Sequence, residues 1–102
     1  MDFNAITYYP GKGVQVTSGA ASANTTIPNT ADGNRARFVA LICPSGYVYA
    51  TACVGTGVSA TAADIPIVST QPPVILSVKQ FDHIAYLQGS AAALLNILPV
   101  EF

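Results

Sequence analysis

Tryptophan is absent from this 102-residue chain, histidine occurs once, and only 9% of residues are charged. Each scarcity excludes something. The cations Lys12, Arg35, Arg37 and Lys79 stand against the carboxylates Asp2, Asp32, Asp64, Asp82 and Glu101, a net charge of −1. There is no basic excess to grip nucleic acid by its phosphates, and no polybasic cluster to hold a membrane surface. Aromatics interleaved with cations, as single-strand nucleic-acid binders use, do not occur. His83 is the only imidazole, and its neighbour Asp82 is a poor partner if both lie on a strand, where adjacent side chains point to opposite faces. No G-x-S-x-G elbow accompanies them, so His83 reads as structural. The five acids are scattered, mostly at turns, and form no pair flanking a cleft. The chain lacks C-x-x-C, H-x-x-x-H and an EF-hand loop. Gly11-Lys12-Gly13 lacks the order of a phosphate loop. The expectation is a non-enzymatic protein with no catalytic residue, metal or cofactor.

Met1-Asp2-Phe3-Asn4 has neither a basic n-region nor an apolar h-region, so no secretory signal is expected. The interval between Arg37 and Asp64 carries no charge, but Pro44-Ser45-Gly46 and Gly55-Thr56-Gly57 interrupt it. A spanning helix needs ~20 mostly apolar residues in a row, and no membrane partner is expected.

What is present is apolar: 51% of residues, in short runs of Val, Ile, Thr and Tyr cut by Gly, Pro, Asn and Asp. No segment shows convincing helical spacing. The runs read as strands, and the breaks as turns. The clearest unit spans Arg35 to Val54. With Pro44-Ser45-Gly46 as a hairpin loop, Ala36, Phe38, Ala40 and Ile42 oppose Val54, Ala52, Ala50 and Val48, apolar with apolar throughout. Tyr47, Tyr49 and Thr51 take the opposite face, a surface suited to contact. In that register Cys43 and Cys53 lie roughly 20 Å apart, beyond the ~7 Å between α-carbons that a disulfide tolerates. Two free, buried thiols are expected, as in a chain made and used without secretion. The sequon Asn24-Thr25-Thr26 is then inert.

Further strands are predicted at Gly13–Thr17, Asn24–Ile27, Ile65–Ser69, Val74–Lys79, His83–Gln88 and Leu94–Leu98. Pro66 marks an edge or a strand start. Val74, Leu76 and Val78 should face inward. The total is seven or eight short strands, the pattern of an all-β antiparallel sandwich or jelly roll in a single domain, spanning residues 13–102. Residues 1–12 fall outside the periodicity. Phe3, Ile6, Tyr8 and Tyr9 make this segment either an arm that packs on a neighbouring subunit or a first edge strand.

From Arg37 onward, Arg37-Phe38-Val39-Ala40, Tyr47-Val48-Tyr49, Ser59-Ala60-Thr61-Ala62-Ala63-Asp64-Ile65-Pro66, His83-Ile84-Ala85-Tyr86-Leu87-Gln88-Gly89 and Asn96-Ile97-Leu98-Pro99-Val100 resemble small structural proteins of tailed bacteriophages. The likeness covers about two-thirds of the chain, in short β-strand phrases. Cys43, Cys53 and the Pro72-Pro73 break depart from it. The resemblance implies an all-β virion component: a capsid decoration (cement) protein, or a head–tail or tail accessory subunit. It further implies a homo-oligomer that meets the major capsid protein or other virion subunits, located in the virion after synthesis in the host cytoplasm. Few charges blunt the strand edges, which also favours cover by neighbours. The expected contact residues are Phe3, Tyr8 and Tyr9 on the arm and Tyr47 and Tyr49 beyond it. A different class of function, a carbohydrate- or receptor-binding sandwich, would use Tyr47, Tyr49 and Tyr86 as a stacking platform.

Overall fold

In a computed structural model that describes residues 7–9, 11–30 and 33–101, the apolar runs become nine β-strands, with no helix among those residues. They are β1 (Thr7–Tyr8), β2 (Val14–Thr17), β3 (Ala23–Thr26), β4 (Phe38–Ile42), β5 (Tyr47–Cys53), β6 (Ile65–Val68), β7 (Val74–Ser77), β8 (His83–Gln88) and β9 (Leu94–Glu101). One sheet runs β1-β9-β4-β7, with β2 also on β9; the other runs β3-β8-β5-β6. Every ladder is antiparallel.

The ladders β2:β9, β3:β8, β4:β7 and β5:β6 trace one long double ribbon that turns back between β5 and β6. The β4:β9 and β5:β8 ladders hold this ribbon rolled up on itself. That path is a jelly roll, two sheets closed around a shared interior. Val39, Leu41, Leu95 and Ile97 enter the core from the first sheet, and Val48, Ala50, Ile67, Ile84 and Tyr86 from the second. Val39, Leu41, Val48, Ile84, Leu95 and Ile97 are fully buried, each worth roughly 1.5–3 kcal/mol in removal from water. As the alternation predicts, Val74 and Leu76 pack against this core and Val78 is buried. Pro66 sits on the edge strand β6, where its missing N–H breaks no ladder.

The predicted hairpin between β4 and β5 does not form. β4 pairs with β7 and β9, β5 with β6 and β8, and Pro44-Ser45-Gly46 carries the chain from one sheet to the other. The physical reason lies in β4 itself. Phe38-Val39-Ala40-Leu41-Ile42 is apolar on both faces, so its pattern fits more than one partner and cannot fix a register. The odd-numbered Val39 and Leu41 enter the central cluster, and the even-numbered Phe38, Ala40 and Ile42 take the other face, where Ala40 is also buried. Both cysteines are nevertheless free and buried.

Of residues 1–12, Thr7 and Tyr8 pair with Glu101 and Val100, so this piece of backbone is an edge strand of the first sheet. Phe3 and the side chain of Tyr8 lie outside the described residues. The last strand is longer than expected, passing through Pro99 to Glu101. β2 pairs with Leu94–Ile97 and β1 with Val100–Glu101. Pro99 thus falls where the neighbour changes, and Tyr9 N–H reaches its carbonyl there (3.3 Å). The N–H that proline lacks has no ladder partner to lose at that gap.

Candidate functional site

On β5, Val48 and Ala50 point into the core, so Tyr47, Tyr49 and Thr51 stand on the outer face of the second sheet. The register places Tyr47 across from Val68, and Tyr49 between Pro66 and Leu87. The two tyrosine rings meet edge to face, centroids 5.7 Å apart with planes at 90°, an arrangement that ring quadrupoles favour by about 0.5–1.5 kcal/mol. Tyr47 lies against Gly89, occupying the space of the missing side chain. The result is an aromatic and aliphatic patch of half-buried Tyr47, Tyr49, Val68 and Leu87 with exposed Pro66.

The other end of this face is covered by the chain itself. Residues 54–64 fold over it and bury Cys53, Ala60 and Ala85, with Leu87 packed alongside. The Ala60 N–H donates to Ser22 Oγ (2.7 Å) and the Asn24 amide donates to the Gly55 carbonyl (3.4 Å). Asp82 accepts from the Gly55 N–H (2.8 Å) and from His83 Nδ1–H (2.8 Å). Direct pairing of Asp82 with His83 is opposite to the expectation from strand alternation. Asp82 precedes β8 and belongs to the turn, so alternation does not govern its side chain. The His83 hydrogen bond, then the Gly55 N–H, hold the Asp82 carboxyl below its usual range. Burial, aided by the Asp82 charge, pushes the Cys53 thiol up. The Cys53 S–H donates to the Gly55 carbonyl (3.7 Å), so this sulfur is held as a thiol and not as a nucleophilic thiolate. The group acts as a clamp on the loop. Among the described residues no three His, Cys, Asp or Glu side chains are placed to hold a metal ion.

The first sheet also turns apolar groups outward. Phe38 and Ile42 of β4, Leu98 of β9 and Ile75 of β7 are half-buried on this face, around Ala40 and Val100, which are buried. Lys79 places its ammonium 5.2 Å from the centre of the Phe38 ring, a cation–π contact. Beside Phe38 opens a cleft of about 520 Å³ lined by Tyr9, Arg35, Arg37, Val100 and Glu101 among others. The Tyr9 hydroxyl donates to Glu101 Oε2 (2.5 Å).

The structure therefore brings Tyr47 and Tyr49 together and puts Tyr9 on the other sheet, in the cleft. Tyr86 is turned into the core and 7% exposed. It lies on the opposite face of its sheet from Tyr47 and Tyr49, and the three-tyrosine stacking platform does not exist. Sequence reasoning missed Val68 and Leu87, which join the patch only through cross-strand register. It also missed the cleft in which Arg35 and Arg37 meet Tyr9 and Glu101. No helix among the described residues is long and apolar enough to cross a membrane. Comparison with known proteins found no match to this chain among family models, curated proteins or solved structures.

Proposed function

We propose that this chain is a non-enzymatic virion structural protein, a capsid decoration (cement) subunit that oligomerises and bridges subunits of the major capsid protein. One observation carries the reading: both sheets turn apolar residues outward, Tyr47, Tyr49, Val68 and Leu87 on one side and Phe38, Ile42, Ile75 and Leu98 on the other. A monomeric sandwich ordinarily alternates apolar-in with polar-out. Contiguous apolar patches on a surface mark sites of contact with other macromolecules. Two such faces on one small domain suit a subunit with neighbours on both sides.

The fold is compatible as an analogy, since jelly rolls serve in viral capsids and also in lectins and cupins. Repetition on a lattice would let individually weak contacts suffice, because linked contacts raise avidity. The tyrosine patch is the proposed capsid-facing surface, because its rings are amphipathic and already ordered against each other, which lowers the entropy of docking.

The test is cosedimentation of the full chain with capsids purified from its source particle, beside sedimentation velocity of the protein alone. Tyr47→Ser with Tyr49→Ser should weaken capsid binding by at least about tenfold while circular dichroism stays that of the parent. A parent protein that is a lone monomer and ignores the particles overturns the proposal. Binding confined to necks or tails, and not to capsid shells, assigns it instead as a head–tail or tail accessory subunit.

A further inference from the structure

We propose that the cleft between β1, β9 and the start of β4 is a binding site for a carboxylate carried on a peptide, with Arg35 and Arg37 as its anion-recognising groups. This inference does not depend on the virion reading.

Arg35 and Arg37 both line the cleft. They flank Ala36, which is 2% exposed, and alternation along extended backbone then sends both guanidinium side chains away from the core. The backbone that presents them is fixed from both sides. The Ala36 N–H donates to the Pro28 carbonyl (3.2 Å), the Val78 N–H donates to the Arg37 carbonyl (2.8 Å), and Arg35 forms a bridge with Asn29. Anchored backbone makes the pair partly preorganised, which reduces the entropy of holding a ligand.

Neither guanidinium has an ion-pair partner among the described residues; the pair found there is His83 with Asp82. Glu101, which lines the same cleft, accepts from the Tyr9 hydroxyl, and the Asp82 carboxylate feels the Arg35 charge without forming an ion pair with it. Among the described residues that line the cleft, two guanidinium groups stand with one carboxylate, a balance that favours a monoanion. A dianion such as phosphate would be over-matched and repelled by Glu101. The planar donor fork of arginine fits a carboxylate in a bidentate manner. Phe38 and Val100 supply an apolar wall beside the charges, and about 520 Å³ accommodates a carboxylate with an apolar neighbour. In a chain with four cations, placing two of them in one cleft concentrates the available positive potential there.

The experiment follows the Arg Nε–Hε resonances of the full chain by NMR while dipeptides are added. Acetyl-Leu-Glu-amide carries a side-chain carboxylate, acetyl-Leu-Gln free acid a terminal one, and acetyl-Leu-Gln-amide has none. Either carboxylate form should shift the Arg35 and Arg37 signals saturably, with a dissociation constant on the order of millimolar, and the neutral peptide should not. The form that binds tells which source of carboxylate the cleft accepts. Arg35→Gln and Arg37→Gln should each weaken binding by about tenfold, whereas Lys12→Gln, with the same change of charge, should leave it within about twofold. Absence of saturation, equal binding of the neutral peptide, equal loss in Lys12→Gln, or tighter binding of inorganic phosphate overturns the proposal. Arginine spectra dispersed as in the parent confirm that each variant is folded.

Discussion

The ring of Tyr47 occupies the space that a β-carbon on Gly89 would fill, and the Gly89 N–H donates to the Tyr47 carbonyl at 3.2 Å. Glycine at 89 is thus required by a neighbour's bulk; no left-handed backbone is involved, and the residue does not appear among those with positive φ. Gly89→Ala should destabilise the fold by about 1–3 kcal/mol, the range for forced overpacking, because the ring must leave the sheet. In a Tyr47→Ala background the same substitution should cost less than about 0.5 kcal/mol. A double-mutant cycle by urea denaturation measures the coupling. Equal costs in both backgrounds would show that the ring does not rest on this glycine.

Among the described residues Ser18 is the buried polar one, 3% exposed, and it makes a closed exchange with Ala93. Its N–H and its hydroxyl both donate to the Ala93 carbonyl (2.8 and 3.0 Å), and its Oγ accepts from the Ala93 N–H (2.9 Å). These bonds continue the β2:β9 ladder beyond its last strand pair, Thr17 with Leu94. Ser18→Ala removes the acceptor and leaves the Ala93 N–H unpaired, at a cost of about 1–3 kcal/mol. Hydrogen exchange should report a selective loss of protection at Ala93. Unchanged protection there would mean that water replaces the hydroxyl.

Cys43 and Cys53 are 2% and 3% exposed, and each sulfhydryl donates to a carbonyl two residues on, of Ser45 and Gly55. Thiol reagents require access and a thiolate. Burial denies the first at both positions, and the raised pKa of Cys53 works against the second. Labelling at neutral pH should therefore follow opening of the structure, with both thiols reacting fully in denaturant. Fast labelling of either cysteine in the native protein would contradict this packing.

Strand positions were legible in the sequence because Pro and Gly punctuate it: His83–Gln88 matches β8, and Val74, Leu76 and Val78 face inward as their alternation requires. Pairing was not legible. Partners in this fold are mostly remote, such as Val16 with Leu95 and Thr25 with Ile84, and local pattern carries no information about them. The β4–β5 hairpin failed for the same reason, since an apolar strand on both faces satisfies many partners. For the candidate site, the adjacency of Tyr47 and Tyr49 followed from period two. Leu87, Val68 and the convergence of Tyr9 with Arg35, Arg37 and Glu101 depend on how the ribbon rolls. Asp82 pairs with His83 because a turn, not a strand, sets its direction.

That pairing has a pH consequence with a definite sign. The Asp82 carboxyl is held below its usual range, first by His83 and then by the Gly55 N–H, so the folded state releases this proton more readily than the unfolded chain does. The contribution is fully present above the unfolded carboxyl value of about 3.9. It fades as pH falls past that point and is lost once the folded carboxyl is protonated. Asp82→Asn should accordingly be less stable than the parent at about pH 5, with the gap narrowing as pH drops through and below about 3.9. Urea denaturation at successive pH values measures the gap. His83→Ala should move the Asp82 carboxyl back toward its ordinary range in an NMR titration, leaving the part due to the Gly55 N–H. A stability gap that stays constant into strong acid, or an Asp82 titration unmoved by His83→Ala, would show that this hydrogen bond does not hold the loop.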